Sequence, residues 1–219
     1  MVEQKDLRQK LLNPSIPIKE DNSQLVSLKT SPFDLIFEPS IKKDYKYFVR
    51  DAIYEKIGRI SRQLTKQNKK LIIRSVWRSF EHQQMLRDQR KVSLQREHPE
   101  KGPREIDEIV SYFIAPATES MHATGGAVDA LIYDLKNDCV MDFGTNKGLV
   151  IDLNKKCYPF HPEITALAKR NRAELINLFH EEDFVVDLKE YWHFDFGNVI
   201  WAIEKEKYYA SYGIIKSVD

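Results

Sequence analysis

His122 and Asp129 stand seven positions apart with Gly125-Gly126 between them, and this spacing restricts the local backbone more than any other feature of the chain. Side chains alternate along a strand, so residues an odd number of positions apart on one continuous strand point to opposite faces. For two polar side chains so spaced to meet, the chain has to turn between them. The glycine pair permits such a turn between loop and strand. His122 then sits at a loop end, and Asp129 on the inward face of a strand predicted over Ala127–Tyr133.

A second short segment, Glu190-Tyr191-Trp192-His193-Phe194, supplies another imidazole and another carboxylate in an aromatic, strand-like run. A turn at Leu188–Glu190 would bring the Glu190 carboxylate beside a metal without making it a ligand. The two segments together offer His122, Asp129 and His193 as ligands for one zinc ion per chain. Three protein ligands with a fourth position open is the arrangement of a catalytic site, whereas structural zinc sites are closed and rich in cysteine. The two cysteines, Cys139 and Cys157, lack zinc-finger spacing. Taken singly, each segment reads as a loop histidine or as core packing. It is their occurrence in one chain that points to chemistry.

Around these segments the pattern is α+β in a single domain, a small antiparallel sheet flanked by helices. Residues 1–40 mix charges, prolines and short apolar runs, and are expected to form an irregular N-terminal arm packed on a catalytic domain over 41–219. Apolar residues at helical spacing predict a helix from Lys42 to about Lys66. Leu71-Ile72-Ile73 reads as a buried strand ending at Ser75-Val76-Trp77-Arg78. Helices are expected over Phe80 to about Val92, over Arg104–Tyr112 with Pro103 at the first position, and from Pro162 to about Glu182. Val140–Phe143, Phe184–Val186 and Tyr191–Phe196 read as strands, the last two paired, and a short helix begins at Val199.

Charge narrows the partners. Lys and Arg number 34 against 33 Asp and Glu, a balance without the basic footprint of a nucleic-acid or anionic-lipid binder. A small molecule or peptide is the expected partner, with no membrane span. Two cysteines and an N-terminus without an apolar core of the signal-peptide kind predict a cytoplasmic protein, with a periplasmic one as the alternative if a signal has been removed.

The pattern Ser120-x-His122-x-x-Gly125-x-Ala127-x-Asp129, followed by Glu190-x-Trp192-His193, resembles the zinc D-Ala-D-Ala peptidases. That family includes the VanX-type D-Ala-D-Ala dipeptidases, related carboxypeptidases and the zinc-containing fold of Hedgehog signalling domains. The similarity extends from about Leu25 to Phe196, and Ile114-Ala115-Pro116 and Trp77-Arg78 fit the dipeptidase branch. It implies a Hedgehog/DD-peptidase-like fold, zinc on His122, Asp129 and His193, and a small D-amino-acid peptide substrate. It further implies Glu190 as acid/base, Arg78 as stabiliser of the oxyanion and Ser120 as a partner of the substrate carboxylate.

Two departures bear on substrate. Gly148 stands where the dipeptidases carry an aspartate for the substrate ammonium, and Leu28 where they carry a tyrosine near it. Asp142 or Asp152 would then take over that ammonium, or the substrate is a longer peptide trimmed by a D,D-carboxypeptidase. Free D-Ala-D-Ala is the expected substrate. The competing readings are a zinc-binding interaction module without catalysis and a metal-free structural domain. His82, His98, His161 and His180 have no mutual spacing and are expected at the surface or as caps. Lys66, Lys69 and Lys70 read as a solvated helix end, and Trp201, Tyr208 and Tyr209 as packing for the C-terminal segment.

Overall fold

A computed structural model describes residues 16–145 and 156–218. Its strands are β1 (Leu25–Ser27), β2 (Leu35–Phe37), β3 (Phe48–Arg50), β4 (Lys69–Ser75), β5 (Ala127–Asp134), β6 (Cys139–Val140), β7 (Val185–Val186) and β8 (His193–Asp195). Its helices are α1 (Asp51–Thr65), α2 (Phe80–Glu97), α3 (Pro103–Phe113), α4 (Ala166–Glu181) and α5 (Val199–Glu204).

In α1, Ile53, Ile57, Ile60 and Leu64 recur at intervals of three and four, which makes one face apolar, and all four are fully buried. Each contributes roughly 1.5–3 kcal/mol by leaving water. The main sheet runs β2-β4-β5-β8-β7, with β6 pairing off β5. Strict alternation divides it into two faces. Val128, Ala130 and Ile132 of β5, with Leu71 and Ile73 of β4, are fully buried in the core with α1. On β8, Phe194 belongs to that same core and stacks on Phe179 of α4 with ring centroids 3.9 Å apart. Asp129, His193 and Asp195 therefore lie on the other face.

The α+β class and the flanking helices match the sequence expectation, while several boundaries move for identifiable reasons. The helix expected from Lys42 begins at Asp51, because Phe48–Arg50 pair antiparallel with β1 and Tyr47 takes a left-handed φ of 51°. A sheet partner that local periodicity cannot see has won. Helix α2 continues to Glu97, past the expected end at Val92, and α4 starts at Ala166 because the Thr165 hydroxyl accepts the Ala168 N–H as its cap. Of Val140–Phe143 only Val140 is in a strand. The sheet is antiparallel except at one edge, where β2, from the stretch expected to be irregular, runs parallel to β4.

Helices α2 and α3 form a hairpin with its own small apolar cluster of Leu94, Ile106, Val110 and Ile114. The hairpin is fastened by the buried Arg87 guanidinium, which donates to the Ile114 carbonyl and to Ser111 Oγ. This places the N-terminus of α2 and the C-terminus of α3 beside the polar face of the sheet.

Candidate metal centre

Register brings the first two ligands together. Asp129 of β5 is the direct antiparallel partner of His193 on β8, so both side chains rise from the same face. His122 comes from a 3-10 turn, Met121–Thr124, which ends at Gly125 with φ 72°. At that φ an L side chain is strained, and a Cβ on Gly125 would also lie 2.6 Å from Leu25 Cδ2. At Gly126 a Cβ would lie 2.5 Å from the Phe196 carbonyl, because Phe196 N–H donates to the Gly126 carbonyl at 2.8 Å. The first glycine makes the turn and the second lets the strand close on its neighbour. That is the break in alternation that the odd spacing of His122 and Asp129 demands.

The donor atoms of His122, Asp129 and His193 all lie within 4.8 Å of one another and are buried. Asp129 Oδ1 is 2.8 Å from His193 Nδ1, and Oδ2 is 3.2 Å from His122 Nε2. The other nitrogen of each ring is already engaged, His122 Nδ1 with the Val76 carbonyl at 2.8 Å and His193 Nε2 with Asp195 Oδ1 at 3.3 Å. A second partner of this kind fixes the tautomer and aims the remaining lone pair, as is usual for metal-bound histidine. Asp195 Oδ1 is itself held by Asn198 Nδ2 at 2.6 Å. Two imidazoles and a carboxylate, converging and oriented from behind, fit a divalent transition metal of the zinc type.

Charge in the cluster follows from the contacts. Burial would raise the Asp129 carboxyl, but the two histidines outweigh it and hold it well below the usual carboxylate range. His122 is lowered to about 4 by burial, with Arg78 adding to the effect. Burial alone would lower His193 as well; Asp195 and Asp129 together raise it well above the usual range. Metal ligation requires that the imidazole nitrogens facing Asp129 carry no proton, so ion binding and proton release are linked here.

Arg78 closes the cluster from the end of β4. Its Nη2 donates to Asp129 Oδ2 at 2.7 Å, its Nε to Ser75 Oγ at 2.7 Å and its Nη1 to Gln83 Oε1 at 3.2 Å. Gln83 in turn donates to the Ala115 carbonyl at 2.8 Å, so the guanidinium is locked on three sides. Glu190 follows a tight turn in which Asp187 Oδ1 accepts the backbone N–H groups of Lys189 and Glu190. Burial, with Asp187 as a like charge beside it, pushes the Glu190 carboxyl up to about 8.

All six predicted residues, His122, Asp129, His193, Glu190, Arg78 and Ser120, line one cavity of about 520 Å³. Asp142 lines a neighbouring cavity instead. Leu28 is buried in the core, and Gly148 and Asp152 lie outside the described residues.

His82 corrects the expectation of a surface or capping role: it is buried against Tyr45 and lines the cavity wall. Asp195, Ser75 and Gln83 are partners the sequence reading missed. For Asp195 a signal existed, since it stands two positions after His193 and so shares its face. Gln83 carries no such signal, because its role depends on where α2 lands.

A family model described as D-ala-D-ala dipeptidase matches residues 35–210. No curated protein matches the sequence. Among solved structures, the fold is similar to a mutant of the vancomycin-resistance D,D-pentapeptidase VanY from a VanB-type cassette in complex with Zn(II), with TM-score 0.52 and 15% identity over 87% of this chain and 86% of that one. VanYB in complex with D-alanine-D-alanine gives TM-score 0.52 and 14% identity over 88% and 87% of the two chains. The LD-carboxypeptidase LdcB gives TM-score 0.50 and 19% identity over 85% and 74%.

Proposed function

The chain belongs to the D-Ala-D-Ala dipeptidase family, and from that premise we propose that it is a zinc peptidase that hydrolyses the amide of a D-Ala-D-Ala unit and releases D-alanine. The observation that carries this reading is the convergence of His122 Nε2, Asp129 and His193 Nδ1 in one cavity with Glu190 and Arg78.

His122, Asp129 and His193 would hold the ion. Zinc, when bound, polarises the scissile carbonyl, acidifies water and draws the raised Glu190 carboxyl back towards its ionised form. Glu190 takes a proton from the attacking water and returns it to the departing amine as the C–N bond breaks. Arg78 is a fixed cation that strengthens its interaction as the carbonyl oxygen becomes an oxyanion, and its three anchors remove the cost of reorienting it. Ser120, in the wall beside the His122 turn, is assigned to the terminal carboxylate of the substrate. No step uses the histidines as proton carriers.

The metal ligands, Glu190 and Arg78 would serve free dipeptide and peptide-linked D-Ala-D-Ala alike. One observation favours the longer substrate: a second cavity of about 550 Å³ shares Glu38, Pro39, Arg74 and Trp192 with the cavity at the metal centre. The test is D-alanine release by the zinc-loaded chain from free D-Ala-D-Ala and from an N-acylated peptide ending in D-Ala-D-Ala, with Glu190→Ala as control. Release that depends on Glu190 is expected. A zinc-loaded protein that cuts neither substrate refutes the assignment.

A further inference from the structure

Strand β4 breaks its pairing at the edge of the metal centre. Its register with β5 shifts between Ile73 and Ser75, so that Ser75 becomes the partner of Asp129. An irregularity of this kind disrupts the ladder and redirects the side chains that follow it. Just beyond it the Val76 N–H donates to a side chain, the Tyr45 hydroxyl, at 2.7 Å. Tyr45 comes from the connection between β2 and β3 and is buried. Its ring centroid lies 4.4 Å from that of Tyr47 and 4.7 Å from that of His82, so packing fixes where the hydroxyl sits. Burial pushes this hydroxyl up to about 12, and it keeps its proton at neutral pH.

Two arms of the centre start from this one oxygen. It shares a hydrogen bond of 3.2 Å with Ser75 Oγ, which accepts Arg78 Nε at 2.7 Å, and Arg78 Nη2 donates to Asp129 Oδ2 at 2.7 Å. On the other arm the Val76 carbonyl is 2.8 Å from His122 Nδ1, and His122 Nε2 is 3.2 Å from the same Oδ2. The arms part at Tyr45 and meet again at Asp129. A phenylalanine would fill the same space but leave the buried Val76 N–H without its acceptor. Resting on the peptidase reading above, we propose that Tyr45 is a positioning residue of the reaction, whose hydroxyl aims Arg78 through Ser75 and His122 through Val76. Tyr45 is not among the residues that line the cavity, so it acts from behind them.

The test is Tyr45→Phe in the full chain, with Ser75→Ala and Tyr47→Phe for comparison. Zinc affinity is read in competition with a chromophoric chelator, and D-alanine release at saturating zinc, both per folded molecule. Tyr45→Phe should weaken zinc binding about tenfold, the low end for a group behind a ligand. It should also lower kcat about tenfold with KM within about twofold, less than the roughly 10²–10³ of deleting an oxyanion donor outright. Ser75→Ala cuts the Arg78 arm alone, so kcat should fall as far while zinc affinity holds. The double variant should show the kcat loss of either single change rather than their product. Tyr47→Phe removes a hydroxyl from the neighbouring ring, one that donates to the Glu38 carbonyl, and should leave zinc affinity and kcat unaltered. Unchanged zinc affinity or unchanged kcat in Tyr45→Phe overturns the proposal, as do equal losses in Tyr47→Phe. Should Tyr45→Phe not fold, Ser75→Ala decides, and an unchanged kcat there overturns it. If the unmodified chain cuts neither substrate, the peptidase reading falls by itself. Zinc affinity lost in Tyr45→Phe and kept in Tyr47→Phe would then still uphold the positioning role, and affinity kept in both would overturn it.

Discussion

Strand β5 presents two regions with opposite demands on one stretch of chain. Towards the helices, Val128, Ala130 and Ile132 are completely buried among apolar neighbours. On the other side, Asp129 is nearly as buried but touches His122, His193 and Arg78. The first face holds the fold together by area removed from water; the second is tolerated because both oxygens of Asp129 meet cationic or imidazole partners. The difference teaches that stability and chemistry are here separable by the parity of a residue number. Substitutions on the two faces should then fail in different assays.

The largest expected effect is on the polar side. Glu190→Gln keeps the shape of the side chain and removes its base, so D-alanine release should fall by about 10²–10⁴-fold. Zinc content and the thermal midpoint should stay close to wild type, because no partner of the metal ligands is lost. A large loss of stability in this variant would erase the distinction between the faces. On the apolar side, Ile73→Ala removes a fully buried side chain of the core and should lower unfolding free energy by about 2–5 kcal/mol. Measured by denaturant titration, that loss should come with near-normal activity per folded molecule at low temperature. If activity per folded molecule collapsed instead, the two faces would be mechanically coupled.

A smaller effect sharpens the comparison within the polar face. Asp195 stands outside the trio of converging donors; it holds His193 Nε2 and is held by Asn198. Asp195→Asn should weaken zinc affinity about 10–100-fold in competition with a chromophoric chelator. The variant keeps a hydrogen-bonding side chain in place, so catalysis at saturating zinc should change little. A variant with unaltered affinity would reduce Asp195 to a packing residue.

How far this architecture can be read from sequence depends on the range of the forces that fix each part. The turn between His122 and Asp129 is local in origin: their odd spacing forces a break, and Gly125 with its positive φ provides it, whereas His193 joins them through the long-range pairing of β8 with β5 and was legible from its motif alone. Helix α1 was visible in its apolar periodicity, but its start was not, because Phe48–Arg50 answer to a strand more than twenty residues earlier. The anchors of Arg78 belong to the same category. Ser75 is a strand end and Gln83 an ordinary helix polar residue until the α2–α3 hairpin docks and sets both around one guanidinium. Residues placed by alternation are legible; residues placed by the meeting of separate elements are not.

His82 tests where the polar face ends. The sequence places it at the surface or in a cap, yet it is buried, lines the cavity and leaves Nδ1 without a hydrogen-bond partner while Nε2 is 3.2 Å from Ser40 Oγ. Burial, helped by Arg78 and Lys42, lowers its pKa to about 3. An unfolded chain titrates this imidazole near 6.5. Below that pH the unfolded state binds a proton that the folded state refuses, so stability falls as pH drops from about 6.5 towards 3 and is unaffected by this group above 6.5. The slope from one such group is at most about 1.4 kcal/mol per pH unit. His82→Gln, compared with wild type by denaturant unfolding at pH 7.5 and pH 5.0, should flatten the decline by about 1–2 kcal/mol. The difference between the two proteins isolates the histidine from the carboxylates that also titrate. If the two curves decline in parallel, His82 is protonated in the folded state, and the wall of the cavity is wetter than the packing around Tyr45 implies.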